Sequence, residues 1–407
     1  MIKMKHIITY ALLLVILLSA CQSQSEGTVP FSTPETTWET TSPPTTMTEA
    51  AAPEATVAEA TVPAPTEAIL PEPEFDIFAL INTLSTEEKV GQLFLARCPD
   101  TDALADIRAC HLGGYILFDR EFRNSTPDDI RTMIAGLQQE SSIPLLIAVD
   151  EEGGTVTRVS CYSQYRDCNF PSPRELYEQG GMALIEETEG EKCRLLQSLG
   201  VNVNMAPVCD ITTDPAAFMY RRSLGQSPDE TAHFVSTVVD IMAKHQTGSV
   251  LKHFPGYGNN SDTHTGIAVD ARPLAQLESV DLVPFAAGIE AGCGAILVSH
   301  TFVNALDEAY PASLSAPVHQ YLRSQMGFDG VIVTDDLAMQ AITDLYGAEE
   351  AAVMAVLAGN DLLCSSEYQV QYTAVLNAVR FGRIPEEQLN QAVARILQWK
   401  YALGLIS

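Results

Sequence analysis

Gly330-Val331-Ile332-Val333-Thr334-Asp335-Asp336 is an apolar run that stops on two carboxylates. Its apolar residues are continuous, not alternating, which suits a parallel strand buried on both faces. A carboxylate at the mouth of such a strand is costly unless it is bound or used. Asp336 is placed to cap the residues that follow. Asp335 sits nearer the strand end and is the better candidate for a rigidly held nucleophile. The same form recurs along the chain. Apolar runs occur at residues 92–96, 114–118, 145–149, 201–207, 250–253, 295–298, 331–333 and 361–363. Helix-like sequence separates them, notably at 128–139, 181–199, 229–245 and 348–357, and an amphipathic helix is expected at 389–403. Eight strand–helix units predict a single α/β domain, a TIM-like (β/α)8 barrel. Periodicity alone also fits a doubly wound open sheet. The polar residues decide for the barrel: Asp150-Glu151-Glu152, Asp210, Ser299-His300 and Asp335-Asp336 follow apolar runs, and Lys252-His253 end one. In a barrel they converge on the C-terminal face, where barrel active sites lie.

One stretch adds proton chemistry to that face. Residues 252–266 read Lys-His-Phe-Pro-Gly-Tyr-Gly-Asn-Asn-Ser-Asp-Thr-His-Thr-Gly. Lys252 and His253 end a strand, and Asp262 and His264 follow on a polar loop. Either histidine alone suits a solvated loop, but the cluster suggests a polar ligand and proton transfer. Asp150 to Arg158 pairs acids with a downstream arginine around Gly153-Gly154, which would let backbone approach a ligand. Arg221-Arg222 supplies two further cations after the fourth run.

The chain has 407 residues and a formal net charge of −29. That balance argues against a nucleic-acid partner, and no phosphate-cradling loop appears. Residues 1–21 read as a lipoprotein signal peptide: Lys3 and Lys5 precede an apolar stretch too short for a comfortable membrane span. Leu18-Ser19-Ala20-Cys21 matches a lipobox, making Cys21 the expected lipidation site and the only link to a membrane. Residues 22–73, rich in Thr, Pro, Glu, Ala and Ser, read as a disordered linker, and 74–407 as the catalytic domain. The expected location is therefore extracytoplasmic, on the bacterial cell membrane. Of the nine cysteines, Cys161 and Cys168 are candidates for a short disulfide, while Cys209, Cys293 and Cys364 suit a core. No spacing suggests structural zinc.

These motifs together resemble glycoside hydrolase family 3, in its β-N-acetylhexosaminidase branch. The family's Lys-His-Phe-Pro-Gly-His-Gly followed by Asp-Ser-His is similar to residues 252–258 with Asp262-Thr263-His264. Its Asp-Gln-Glu-Gly-Gly-x-Val-x-Arg resembles residues 150–158, its Arg-Ser-Phe-Gly residues 222–225, and its Gly-Val-Ile-x-Ser/Thr-Asp-Asp/Ala-Leu-x-Met residues 330–339. The resemblance runs from about residue 84 to 405, with the motifs in family order.

It implies a retaining exo-β-N-acetylglucosaminidase that removes terminal GlcNAc, with peptidoglycan fragments as the expected source. It implies Asp335 as nucleophile, His264 as acid/base and Asp262 as its dyad partner. Asp150, Arg158, Arg222, Lys252 and His253 would hold the terminal sugar. No metal and no cofactor are implied, and the chain is expected to act as a monomer on a small carbohydrate. Tyr257, Thr263 and Leu224 depart from the family pattern. A second domain of the kind some members carry is not expected here, which makes the His264 assignment more necessary. Rival readings are another family 3 β-glycosidase or a phosphorylase, a metal-dependent barrel hydrolase using His253, Asp262, His264, His300 and Asp335, and a non-catalytic glycan-binding lipoprotein.

Overall fold

The computed structural model describes residues 75–258 and 266–407. Eight parallel strands form one sheet: β1 Phe94–Arg97, β2 Gly114–Leu117, β3 Leu146–Val149, β4 Val203–Asn204, β5 Gly248–Phe254, β6 Ala295–Val298, β7 Val331–Thr334 and β8 Leu363–Ser365. β1 to β7 pair in chain order, and β8 pairs with β1. A bridge from Val333 to Leu362 brings β7 and β8 together, so the sheet curls into a (β/α)8 barrel. The continuous apolar runs are explained by burial on both faces: β2, β3, β5, β6 and β7 have no exposed residue.

β4 is shorter than the apolar run 201–207 predicts. Pro207 has no N–H to give a ladder, and regular pairing stops before it. β8 begins later than expected because Asp361 is an anchor, not a strand residue. Its carboxylate accepts from Ile332 N (2.8 Å) and meets Arg323 (2.5 Å) and Arg395 (2.9 Å).

Helices start on repeated punctuation. Thr126-Pro127, Ser172-Pro173 and Ser227-Pro228 each open a helix, with an acid three residues after the hydroxyl closing a capping box. The box at Ser172 starts Pro173–Leu199 ahead of the predicted residue 181, where Gly181 (φ 63°) breaks the helix.

The end opposite the strand C-termini is sealed. The helix Glu386–Ala402 lays Trp399 over Gly248 and Gly294, at the starts of β5 and β6. A Cβ at Gly294 would stand 2.0 Å from the Trp399 indole nitrogen, so only glycine admits the ring there. The open end is then the C-terminal face, as the residue pattern predicted.

Cys209, Cys293 and Cys364 are buried as expected. Cys161 and Cys168 carry no bridge; both are exposed free thiols. Cys168 instead lies 3.2 Å from the Arg166 guanidinium.

Candidate active site

The strand ends surround a cleft of about 680 Å³ at the C-terminal face. It is lined by Asp150, Arg158, Arg222, Lys252, His253 and Asp335, so six of the predicted site residues meet there. Asp262 and His264 lie outside the described residues, as does Cys21.

Three strands supply a continuous charged network. Lys252, at 2 % exposure, donates from Nζ to Asp150 (2.6 Å) and meets Glu152 (2.7 Å). Arg222 clasps Glu152 through Nε (3.0 Å) and Nη2 (2.7 Å), a bidentate geometry that fixes the guanidinium plane. Burial disfavours charge on Glu152. The Arg222 and Lys252 cations outweigh that effect and hold its carboxyl well below the usual range. Burial likewise opposes charge on Lys252, but Asp150 and Glu152 keep its ammonium above the ordinary lysine value.

His253 is held from both sides. Its Nδ1 lies 2.7 Å from Asp210 Oδ2, and its Nε2 lies 3.0 Å from Arg222 Nη2. Arginine can only donate, so Nε2 accepts and Nδ1–H donates: both contacts select one neutral tautomer. Asp210 also accepts from the backbone N–H groups of His253 (3.2 Å) and Tyr257 (2.7 Å). Its position after the fourth apolar run was readable, but its service to His253 was not.

Tyr257, a departure from the motif, is buried. Its ring meets His253 edge-on (5.3 Å between centroids) and leans on Phe218. Leu224, the other described departure, is fully buried in the core.

The loop carrying Arg158 is nailed down by Glu151. This buried carboxylate accepts from the N–H groups of Arg158 (2.8 Å), Val159 (2.8 Å) and Ser160 (3.2 Å), and from the Ser160 hydroxyl. Asn204 on β4 takes both backbone groups of Glu151. Gly153 and Gly154 do not open this loop to a ligand. A Cβ at Gly153 would lie 2.3 Å from the Pro171 carbonyl, so the glycines admit the chain's own backbone.

Asp335 follows β7. Its N–H donates to Val298 O on β6 (3.1 Å), and Asp335 Oδ1 accepts from Asp336 N (2.9 Å). Asp336 caps the next turn, accepting from Ala338 N (2.9 Å), and ties β7 to β8 through the Ser366 hydroxyl (2.5 Å). The helix proper begins later, at Gln340. His300, considered above as a metal ligand, is fully buried and contacts the Ser313 hydroxyl (2.7 Å) and Asp336 O (3.0 Å).

The cleft also contains two residues that no motif singles out, Arg97 and Phe118. Both stand at the ends of apolar runs, the same positional signal that marked Asp335.

The family profile described as glycosyl hydrolase family 3 N terminal domain matches residues 85–399. The chain belongs to glycosyl hydrolase family 3. This family 3 chain is 30 % identical over 329 residues to a beta-hexosaminidase, LpqI, of Mycobacterium tuberculosis, covering 78 % of this chain and 83 % of that protein. It is 35 % identical over 268 residues to a beta-hexosaminidase of Xylella fastidiosa, covering 63 % and 77 % of the two chains. Among solved structures, a family 3 beta-N-acetylglucosaminidase from Paenibacillus superposes with a TM-score of 0.74 at 34 % identity. That match covers 79 % of this family 3 chain and 63 % of the longer Paenibacillus chain.

Proposed function

We propose that the chain is an exo-acting, retaining β-N-acetylglucosaminidase whose substrates are peptidoglycan fragments ending in β-linked GlcNAc. The observation that carries this reading is the meeting of Asp335 with Asp150, Arg158, Arg222, Lys252 and His253 in one cleft of a family 3 barrel. The hexosaminidase names of its relatives support the choice of sugar.

In this reading an Asp335 carboxylate oxygen attacks the anomeric carbon as the glycosidic C–O bond breaks. His264 donates its proton to the departing oxygen, and Asp262 steadies the imidazolium from the other ring nitrogen. His264 then takes a proton from water as the water oxygen attacks the anomeric carbon and frees Asp335. Two inversions leave the configuration retained. The charged network presents hydrogen-bonding groups for sugar hydroxyl and carbonyl oxygens. Arg158 Nε is buried without a hydrogen-bond partner among the described residues, which fits a ligand contact.

Release of nitrophenol from a β-N-acetylglucosaminide tests the scheme. Asp335→Ala is expected to lower kcat by at least about a thousandfold. His264→Ala should slow substrates with poor leaving groups far more than activated ones, since only the former need protonation. Full activity in Asp335→Ala would sink the mechanism. We further propose that Cys21 carries a lipid anchor; among the described residues no helix is long and apolar enough to cross a membrane.

A further inference from the structure

Of the motif at residues 222–225, the cleft uses only Arg222. Leu224 belongs to the core. Ser223 and Gly225 meet a single side chain from another element, that of Arg174. Arg174 is half-buried and is the second residue of the helix Pro173–Leu199, whose start is fixed by the capping box at Ser172. A cation in the first turn is disfavoured by the helix dipole, so its place there is explained by what the guanidinium reaches.

Arg174 Nε donates to Tyr220 O (3.1 Å), and Nη2 donates to Thr212 O (2.9 Å) and the Ser223 hydroxyl (3.2 Å). The guanidinium carbon lies 4.0 Å from the Tyr220 ring centroid. None of these partners is charged, so the rigid donor fork acts here as a clamp on backbone. Gly225 (φ 76°) lies directly against it: a Cβ there would stand 2.0 Å from the guanidinium carbon. The clamp falls where regular structure gives no support. Residues 211–226 contain no helix or strand, so no ladder fixes Arg222. The Arg222 backbone N–H donates to Met219 O, inside the same loop (3.0 Å). Arg174 takes Tyr220 and Ser223, on either side of Arg222, and ties both to a helix. The fork of Arg222 on Glu152 needs that backbone in register, because a bidentate pair is specific in geometry.

We propose that Arg174 is a positioning residue for the glycosidase: by holding Thr212, Tyr220 and Ser223 it sets the place of Arg222, and so of the guanidinium that grips the terminal sugar. Arg174 itself touches no substrate. This deepens the glycosidase reading above and rests on its assignment of Arg222.

The test is a double-mutant cycle on hydrolysis of nitrophenyl β-N-acetylglucosaminide. Arg222→Ala alone should lower kcat/KM by about 10–100-fold. Arg174→Met alone should lower it about tenfold, chiefly through KM. Arg174→Lys keeps the charge but not the fork, and should fall between wild type and Arg174→Met. In the Arg222→Ala background Arg174→Met should cost less than about twofold, because the group it positions is gone. A role in folding alone predicts the same factor in both backgrounds, and that result would overturn the proposal. So would an Arg174→Met enzyme with wild-type kcat/KM. If Arg174→Met does not fold, Arg174→Lys carries the same cycle. Wild-type kcat/KM in Arg222→Ala would sink the sugar-holding assignment and the clamp with it, whereas an impaired Arg222→Ala in an additive cycle sinks the clamp alone. If the glycoside is not cleaved, the hydrolase reading fails, while dissociation constants of its uncleaved thioglycoside still complete the cycle.

Discussion

At the scale of single residues, much of the cleft concerns the orientation of one imidazole and one guanidinium. Asp210 and Arg222 select the same tautomer of His253 from opposite sides. In Asp210→Asn the amide can donate to Nδ1, which would place a proton on Nε2, facing the Arg222 donor. The expected result is a fall in kcat/KM of about 10–100-fold, the range for a misplaced site group. Thermal unfolding measured beside it separates this from global damage. Sequence marked Asp210, Lys252 and His253 individually, because each ends or follows an apolar run. It could not show that Glu152 and Asp210 serve their neighbours, since those contacts join residues far apart in the chain, such as Glu152 with Arg222.

At the scale of elements, strands were legible because burial on both faces leaves a continuous apolar run. Their ends were less so, because ends depend on single groups: the missing N–H of Pro207 and the anchoring carboxylate of Asp361. The loop 151–160 shows the same limit. Its two glycines suggested a ligand, but their backbones meet Pro171 and Ser172 instead. Its rigidity comes from Glu151, whose carboxylate gathers three backbone N–H groups. Glu151→Gln keeps the size but loses the charge and one acceptor oxygen, leaving N–H groups unsatisfied. It is expected to raise KM several-fold by loosening Arg158. It should also destabilise the fold by about 2 kcal/mol, seen as a lower denaturation midpoint.

At the scale of the molecule, the barrel has a sealed end and an open end. Lys400 lies on the C-terminal helix, fully buried, with Gln92 Oε1 at 2.7 Å. Burial pushes its ammonium down to about 7. The unfolded chain holds that proton up to about pH 10. Between those values the unfolded state binds more protons, so this residue makes stability rise with pH. Lys400→Met should therefore raise Tm at pH 6–7, by about 2 °C or more. The difference from wild type should shrink toward pH 10, and a difference independent of pH would contradict the assignment. Anchoring also belongs to this scale: Cys21→Ala is expected to move the protein from the membrane fraction to the soluble one, with enzyme activity per molecule retained.

The sequence by itself determined eight buried strands, because burial on two faces writes a continuous apolar run, and the polar residues at the ends of those runs favoured a barrel over an open sheet. It also marked most of the charged side chains that line the open face, because they stand at or just after the ends of those runs. Tertiary structure alone decided which of them are paired with each other. Lys252 and Arg222 share Glu152, His253 is claimed by Asp210 and Arg222, and the Arg97 and Arg158 guanidiniums both lie over the Phe118 ring. Such pairing depends on distances of a few ångströms between segments remote in the chain. Local pattern carries no record of those distances.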